Sequence, residues 1–142
     1  MRKITLALFT LVLLAGAGCA ATGPIKVEKK VGSAMMAKAG VGTYEDYVAS
    51  KLAQASGGKV VLFFKANWCP TCRGVDADIT ANAGAIPEGI HILKINYDAS
   101  DALKAKYGVT YQHTFVQVDA SGNLIKKWSG SPTLAEIIRQ II

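Results

Sequence analysis

Apolar and polar positions change rhythm several times along this chain, and each change predicts an element. Tyr44, Tyr47, Val48, Leu52 and Ala55 recur at helical spacing. Thr43 is placed to cap that helix, Asp46 to bond back to its start, and Gly57-Gly58 to end it. Lys59 to Lys65 is a continuous apolar run between two lysines, the pattern of a central strand covered on both faces. Asn67 to Thr71 turns the chain into a helix from about Pro70 to Ala83, with Pro70 suited to the first turn. Ile90 to Tyr97 reads as a second strand. Ser100 caps a short helix that ends at Tyr107-Gly108. Phe115–Asp119 and Leu124–Trp128 flank Ala120-Ser121-Gly122-Asn123 as a hairpin. Ser131-Pro132-Thr133 opens a last helix, Leu134 to Ile142, with Leu134, Ile137, Ile138 and Ile141 facing inward. The order α-β-α-β-α-β-β-α predicts an α/β domain over 43–142, three layers with helices on both faces of a mixed sheet.

The first 42 residues follow other rules. Arg2 and Lys3 precede an uncharged apolar run from Ile4 to Ala17, which is short for a membrane span and fits the core of an export signal. Two endings compete. Ala15-Gly16-Ala17 is a small-x-small release site. Leu14 to Cys19 resembles a bacterial lipoprotein signal, in which Cys19 becomes the lipidated first residue, although Gly16 stands where a Leu is usual. Residues 1–18 are therefore read as a signal peptide and 19–42, rich in Gly, Ala and Lys, as a tether. A short helical or strand piece is expected near Ser33–Lys38. The protein is expected to be exported to a bacterial periplasm, touching the membrane only through the signal or a lipid on Cys19.

Charge adds little. Without residues 1–18 the chain keeps fourteen basic and ten acidic residues, a net +4. No Arg/Lys cluster interleaves with aromatics, so nucleic acid is not an expected partner. A monomer is expected. Three cysteines are too few for a disulfide-built fold. With Cys19 lipidated, Cys69 and Cys72 remain, in a compartment where disulfides persist.

Cys69-Pro70-Thr71-Cys72 sits at a strand-to-helix junction. There the first thiol meets free backbone N–H groups and the positive end of the helix dipole, which favour a thiolate. The second thiol comes one turn later, within reach for a small disulfide ring. Cys69 is then the nucleophile and Cys72 resolves the mixed disulfide. Trp68 offers a flat docking surface, Pro70 and Thr71 shape the loop, and Arg73 brings positive charge. A zinc half-site has the same spacing and would need two more ligands from His91, His113 or Cys19. The strand before the pair, the Trp ahead of it and the Pro within it favour redox chemistry.

Phe64-Lys65-Ala66-Asn67-Trp68-Cys69-Pro70-Thr71-Cys72-Arg73 resembles the active-site segment of thioredoxin-like proteins. The likeness continues through Ile92–Asp98 and Leu103–Val109 and covers about residues 43–142. It implies the thioredoxin fold and a dithiol–disulfide oxidoreductase with no bound cofactor beyond a redox-active Cys69–Cys72 disulfide. The implied partners are protein thiols and disulfides and an upstream redox protein. A reductase is expected of a small tethered domain of this kind.

Two positions depart from the family. Its buried acid, six residues before the first active-site Cys, is here Phe63. Proton removal from Cys72 then falls to water or another group, with Lys94 aligned to a family lysine near that acid. The proline facing the cysteines, normally followed by Thr, is here His113, before Thr114. Because a non-proline cis bond costs about 3–4 kcal/mol, a trans bond or a strained one is expected. Three readings of His113 stay open: a loop residue filling space, a tuner of Cys69, or a ligand completing a soft-metal (copper) site with Cys69 and Cys72. The last gives the alternative function, a metal-binding or chaperone module. Tyr111 and Gln112 are candidates for the substrate groove.

Overall fold

The computed structural model describes residues 41–142. The expected signal, Cys19 and the tether up to residue 40 lie outside the described residues. Strands β1 (Thr43–Asp46), β2 (Lys59–Lys65), β3 (Ile90–Asn96), β4 (Thr114–Val118) and β5 (Leu124–Ser129) form one sheet in the order β1-β3-β2-β4-β5. β1, β3 and β2 run parallel, and β4 runs antiparallel to both β2 and β5. Helices α1 (Pro70–Ala81), α2 (Asp101–Tyr107) and α3 (Leu134–Gln140) complete the expected α/β architecture.

Strand alternation decides the layers. Val61 and Phe63 of β2 point to one face and join Cys72, Val75 and Ile79 of α1 and Leu134 and Ile137 of α3 in one core. Val60, Leu62 and Phe64 point to the other face, with Tyr107 at the end of α2. All five of these β2 residues are fully buried. Burying such side chains contributes about 1.5–3 kcal/mol each, so β2 is the spine that fixes where the following loop emerges.

The expected helix from Thr43 is a correction. Thr43–Asp46 is an edge strand paired with His91–Lys94, and helical geometry begins only at Ala49, as a 3-10 helix over Ala49–Ser56. Thr43 caps nothing: its hydroxyl meets Glu45 and, at 3.0 Å, His91 Nδ1. The apolar residues that suggested one stripe serve two faces. Tyr44 packs on the α1/α3 core, whereas Tyr47, Leu52 and Ala55 pack on the α2 side. Gly58, expected only to end a helix, also allows a close backbone approach. The Lys59 N–H bonds the Gly89 carbonyl at 2.6 Å, and a Cβ on Gly58 would lie 2.2 Å from that oxygen.

At the other edge, Lys126 and Lys127 of β5 lie on opposite faces. Lys126 donates to the Gln140 carbonyl at 2.6 Å, and Lys127 to that of Gly108 at 2.5 Å.

Candidate active site

β2 ends at Lys65, and the chain turns through Asn67 and Trp68 so that Cys69 becomes the N-cap of α1, with Pro70 at its first position. Pro fits there because that N–H has no helical partner to lose. Cys69 Sγ accepts from the Cys72 N–H at 3.3 Å and lies 3.1 Å from the Thr71 hydroxyl. Both cysteines are free thiols, so the pair is in its dithiol form.

The environment separates the two thiols. Burial pushes Cys69 up, but hydrogen bonds from Thr71, from Cys72 through both its thiol and its N–H, and from Gln112 more than offset it, leaving a thiol lowered to about 7. Cys72 is fully buried and pushed up to about 11, first by burial and then by its hydrogen bond to Cys69 and that neighbour's charge. Backbone groups of Ala66 and His113 only partly oppose this. Near neutral pH about half of the first sulfur is thiolate while the other stays protonated, the division needed for attack by the first and resolution by the second.

Thr71 therefore tunes Cys69 directly. Thr71→Val keeps the shape and removes the hydroxyl, so the Cys69 titration should rise by about half a unit or more. The pH dependence of its alkylation by iodoacetamide measures this, and an unmoved midpoint would remove Thr71 from the tuning set.

Trp68 is 59% exposed, and its indole N–H donates to both carboxylate oxygens of Asp98, at 3.1 and 3.2 Å. That bond fixes the ring while leaving a face open. The Arg73 guanidinium turns back to the Asn67 carbonyl at 3.2 Å. Across from the cysteines, an open cleft of about 320 Å³ is lined by Thr71, Tyr111, Gln112, His113, Ser129 and Pro132. Tyr111 is 55% exposed beside it, and buried Thr114 ties the loop by donating to the Tyr111 carbonyl at 2.9 Å.

His113 has a backbone φ of +60°, in the left-handed region. For a residue with a Cβ this costs on the order of 1–2 kcal/mol. Its N–H donates to the Phe64 carbonyl at 2.9 Å. Its ring stands edge-on to Phe63 and Phe115, at 6.1 and 5.7 Å between centroids. Nε2 lies 3.1 Å from the Ser131 carbonyl, to which it donates. His113 thus meets the thiols through its backbone, against Cys72, while its ring packs and anchors the loop. Among the described residues no three His, Cys, Asp or Glu side chains converge to hold a metal, so nothing supports the Cys69-Cys72-His113 metal site. Lys94 forms an ion pair with Asp46 at 3.3 Å and covers the Tyr44 ring at 5.1 Å. Nothing in the sequence around Trp68 marks Asp98 as its partner. It lies thirty positions from Trp68, with no local pattern to join them.

A family model described as Thioredoxin matches residues 39–142, more than half of the chain. A curated relative, Thioredoxin-T of Drosophila melanogaster, is 26% identical over 98 residues, 68% of this chain. The match spans 62% of that relative's own length. Among solved structures, Trxlp of Edwardsiella tarda superposes with a TM-score of 0.54 at 27% identity, covering 68% of this chain and 97% of that one. Fasciola hepatica thioredoxin superposes with a TM-score of 0.50 at 30% identity, covering 59% and 78%.

Proposed function

The chain belongs to the thioredoxin family, and from that premise we propose that it is a thiol–disulfide oxidoreductase acting on disulfides of exported proteins, in the reducing direction. The observation that carries this is the split between the two thiols at the start of α1, with Cys69 lowered to about 7 and Cys72 raised to about 11. Cys69 thiolate attacks a substrate disulfide, forming a mixed disulfide and releasing one substrate thiolate. Cys72 then loses its proton and attacks Cys69 Sγ, closing the Cys69–Cys72 disulfide and releasing the second thiolate. Two electrons pass to the substrate, and an upstream dithiol partner must return them. The open Trp68 face and the cleft beside Tyr111 and Gln112 suit an extended segment around the target disulfide.

A nucleophile near 7 supports the reducing direction. Strongly oxidising dithiol proteins drop theirs to about 3.5, which stabilises their reduced form. Arg2-Lys3 and the apolar run behind them support export to a periplasm, and the Leu14–Cys19 segment supports a lipid anchor on Cys19.

Equilibrating the full chain with a thiol–disulfide redox buffer tests the direction. A potential near about −270 mV is expected, and one near about −120 mV would instead make the protein an oxidant.

A further inference from the structure

The place of the family's buried acid is filled by Phe63, whose ring stacks on Phe115 at 4.6 Å. Two residues further along the same strand face stands Lys65, a lysine whose side chain is only 15% exposed. Its ammonium pairs with the Asp76 carboxylate, and the Tyr44 hydroxyl donates to the other oxygen of Asp76 at 2.5 Å. Asp76 follows Cys72 by four residues on α1. The two therefore share a helix face, and a helical side chain leans over the turn before its own Cα. Tyr44 packs against the core cluster that contains Cys72, and its phenol feels the charge of that thiol. A polar cavity of about 190 Å³, lined by Asp46, Lys65, Asn67, Lys94, Ile95 and Asn96, opens beside the network.

We propose that Asp76 controls the proton of Cys72, as a fixed anion on the helix face of the resolving thiol. Tyr44 and Lys65 hold it there. The inference rests on the oxidoreductase reading above and places its proton control on α1 instead of β2. While Cys69 attacks, the Asp76 anion adds to the burial and the Cys69 hydrogen bond that keep Cys72 a thiol. When Cys72 attacks Cys69 Sγ in the mixed disulfide, the Cys72 S–H bond breaks and its proton passes to water. The Cys69–Cys72 bond forms, the bond from Cys69 to substrate sulfur breaks, and the departing thiolate takes up a proton. Asp76 acts through Cys72 and is a positioning residue.

The groups around this thiol and Asp76 come from every packed element. Cys69 at the helix cap and the His113 backbone ahead of β4 act on the thiol itself, Tyr44 of β1, Lys65 of β2 and Lys94 of β3 surround Asp76, and Asp46 of β1 acts on Tyr44. Asp78, further along α1, is engaged by the Leu134 N–H of α3 at 2.7 Å. Burial works against ionisation of Asp76, but the bonds from Lys65 and Tyr44 outweigh it and hold the carboxyl below its usual range, so it is an anion at neutral pH.

The test is an NMR titration of Cys72 through its labelled Cβ, in the full chain carrying Cys69→Ser. That background reads Cys72 whether or not the chain exchanges disulfides, so loss of the functional reading would not mask this one. Asp76→Asn should lower the Cys72 midpoint by about one unit or more, as expected for removal of a nearby like charge. Asp76→Glu should restore most of it, and Tyr44→Phe should move it the same way by less. With Cys69 present, the pH profile of mixed-disulfide resolution should shift by the same amount in Asp76→Asn. An unmoved midpoint in Asp76→Asn overturns the proposal, even if stability falls. If that variant does not fold, an unmoved midpoint in Tyr44→Phe overturns it.

Discussion

Cys69→Ser is expected to lower the rate of protein disulfide reduction by at least about a thousandfold, because a serine hydroxyl does not ionise near neutral pH. Cys72→Ser should behave differently. Cys69 keeps its thiolate, the first attack proceeds, and the mixed disulfide accumulates because nothing resolves it. Insulin reduction with a small dithiol as electron donor measures the first loss, and non-reducing electrophoresis with mass spectrometry shows the trapped adduct. In the wild type the attack rate should rise with pH through about 7, where Cys69 titrates, and level off above it. Exchange at the wild-type rate in Cys69→Ser would sink the dithiol mechanism. An absence of adduct in Cys72→Ser would reverse the assigned roles.

Phe63→Asp, which writes the family's acid back into β2, should be among the most damaging single changes. Phe63 has no exposed surface, stacks on Phe115 and supports the His113 ring. Removing such a ring from a core costs about 3–5 kcal/mol through lost burial and the cavity left behind. The new carboxyl is buried among apolar neighbours without a partner from that stack, adding a desolvation cost. For a domain of this size, Tm should fall by at least about 15 °C. Thermal unfolding followed by circular dichroism reads this directly. A fall of only a few degrees would mean that the pocket accepts an acid and that Phe63 is no packing commitment.

The redox pair was legible because its signals are local. The β2 run, Pro70 after Cys69 and the three-residue spacing all lie within fourteen consecutive positions. They depend on strand alternation, helix capping and ring closure, which act at short range. The strand at Thr43–Asp46 was hidden for a related reason. A strand at the sheet's edge is defined by its partner, here His91–Lys94. Tyr44 and Tyr47 imitate one helical stripe while facing opposite layers. The cluster of Tyr44, Lys65 and Asp76 had no local signature. Its members come from β1, β2 and α1 and meet only once sheet register and helix packing are set. The one cue was Lys65 itself, a charge closing an otherwise buried strand. His113 was visible as a departure, but its left-handed backbone follows from the bond its N–H makes to Phe64.

The two lysines of β5 also bear on self-association. The outer side of an edge strand presents unpaired N–H and C=O groups that can template another chain, the usual start of strand-swapped dimers and fibrils. Leu124 and Ile125 make this rim partly apolar, at 49% and 45% exposed. Lys126 and Lys127 put a positive charge on each face of the same strand. A second copy docking edge to edge would set like charge beside like charge along both faces of the shared rim. The rim is thereby protected against polymerisation.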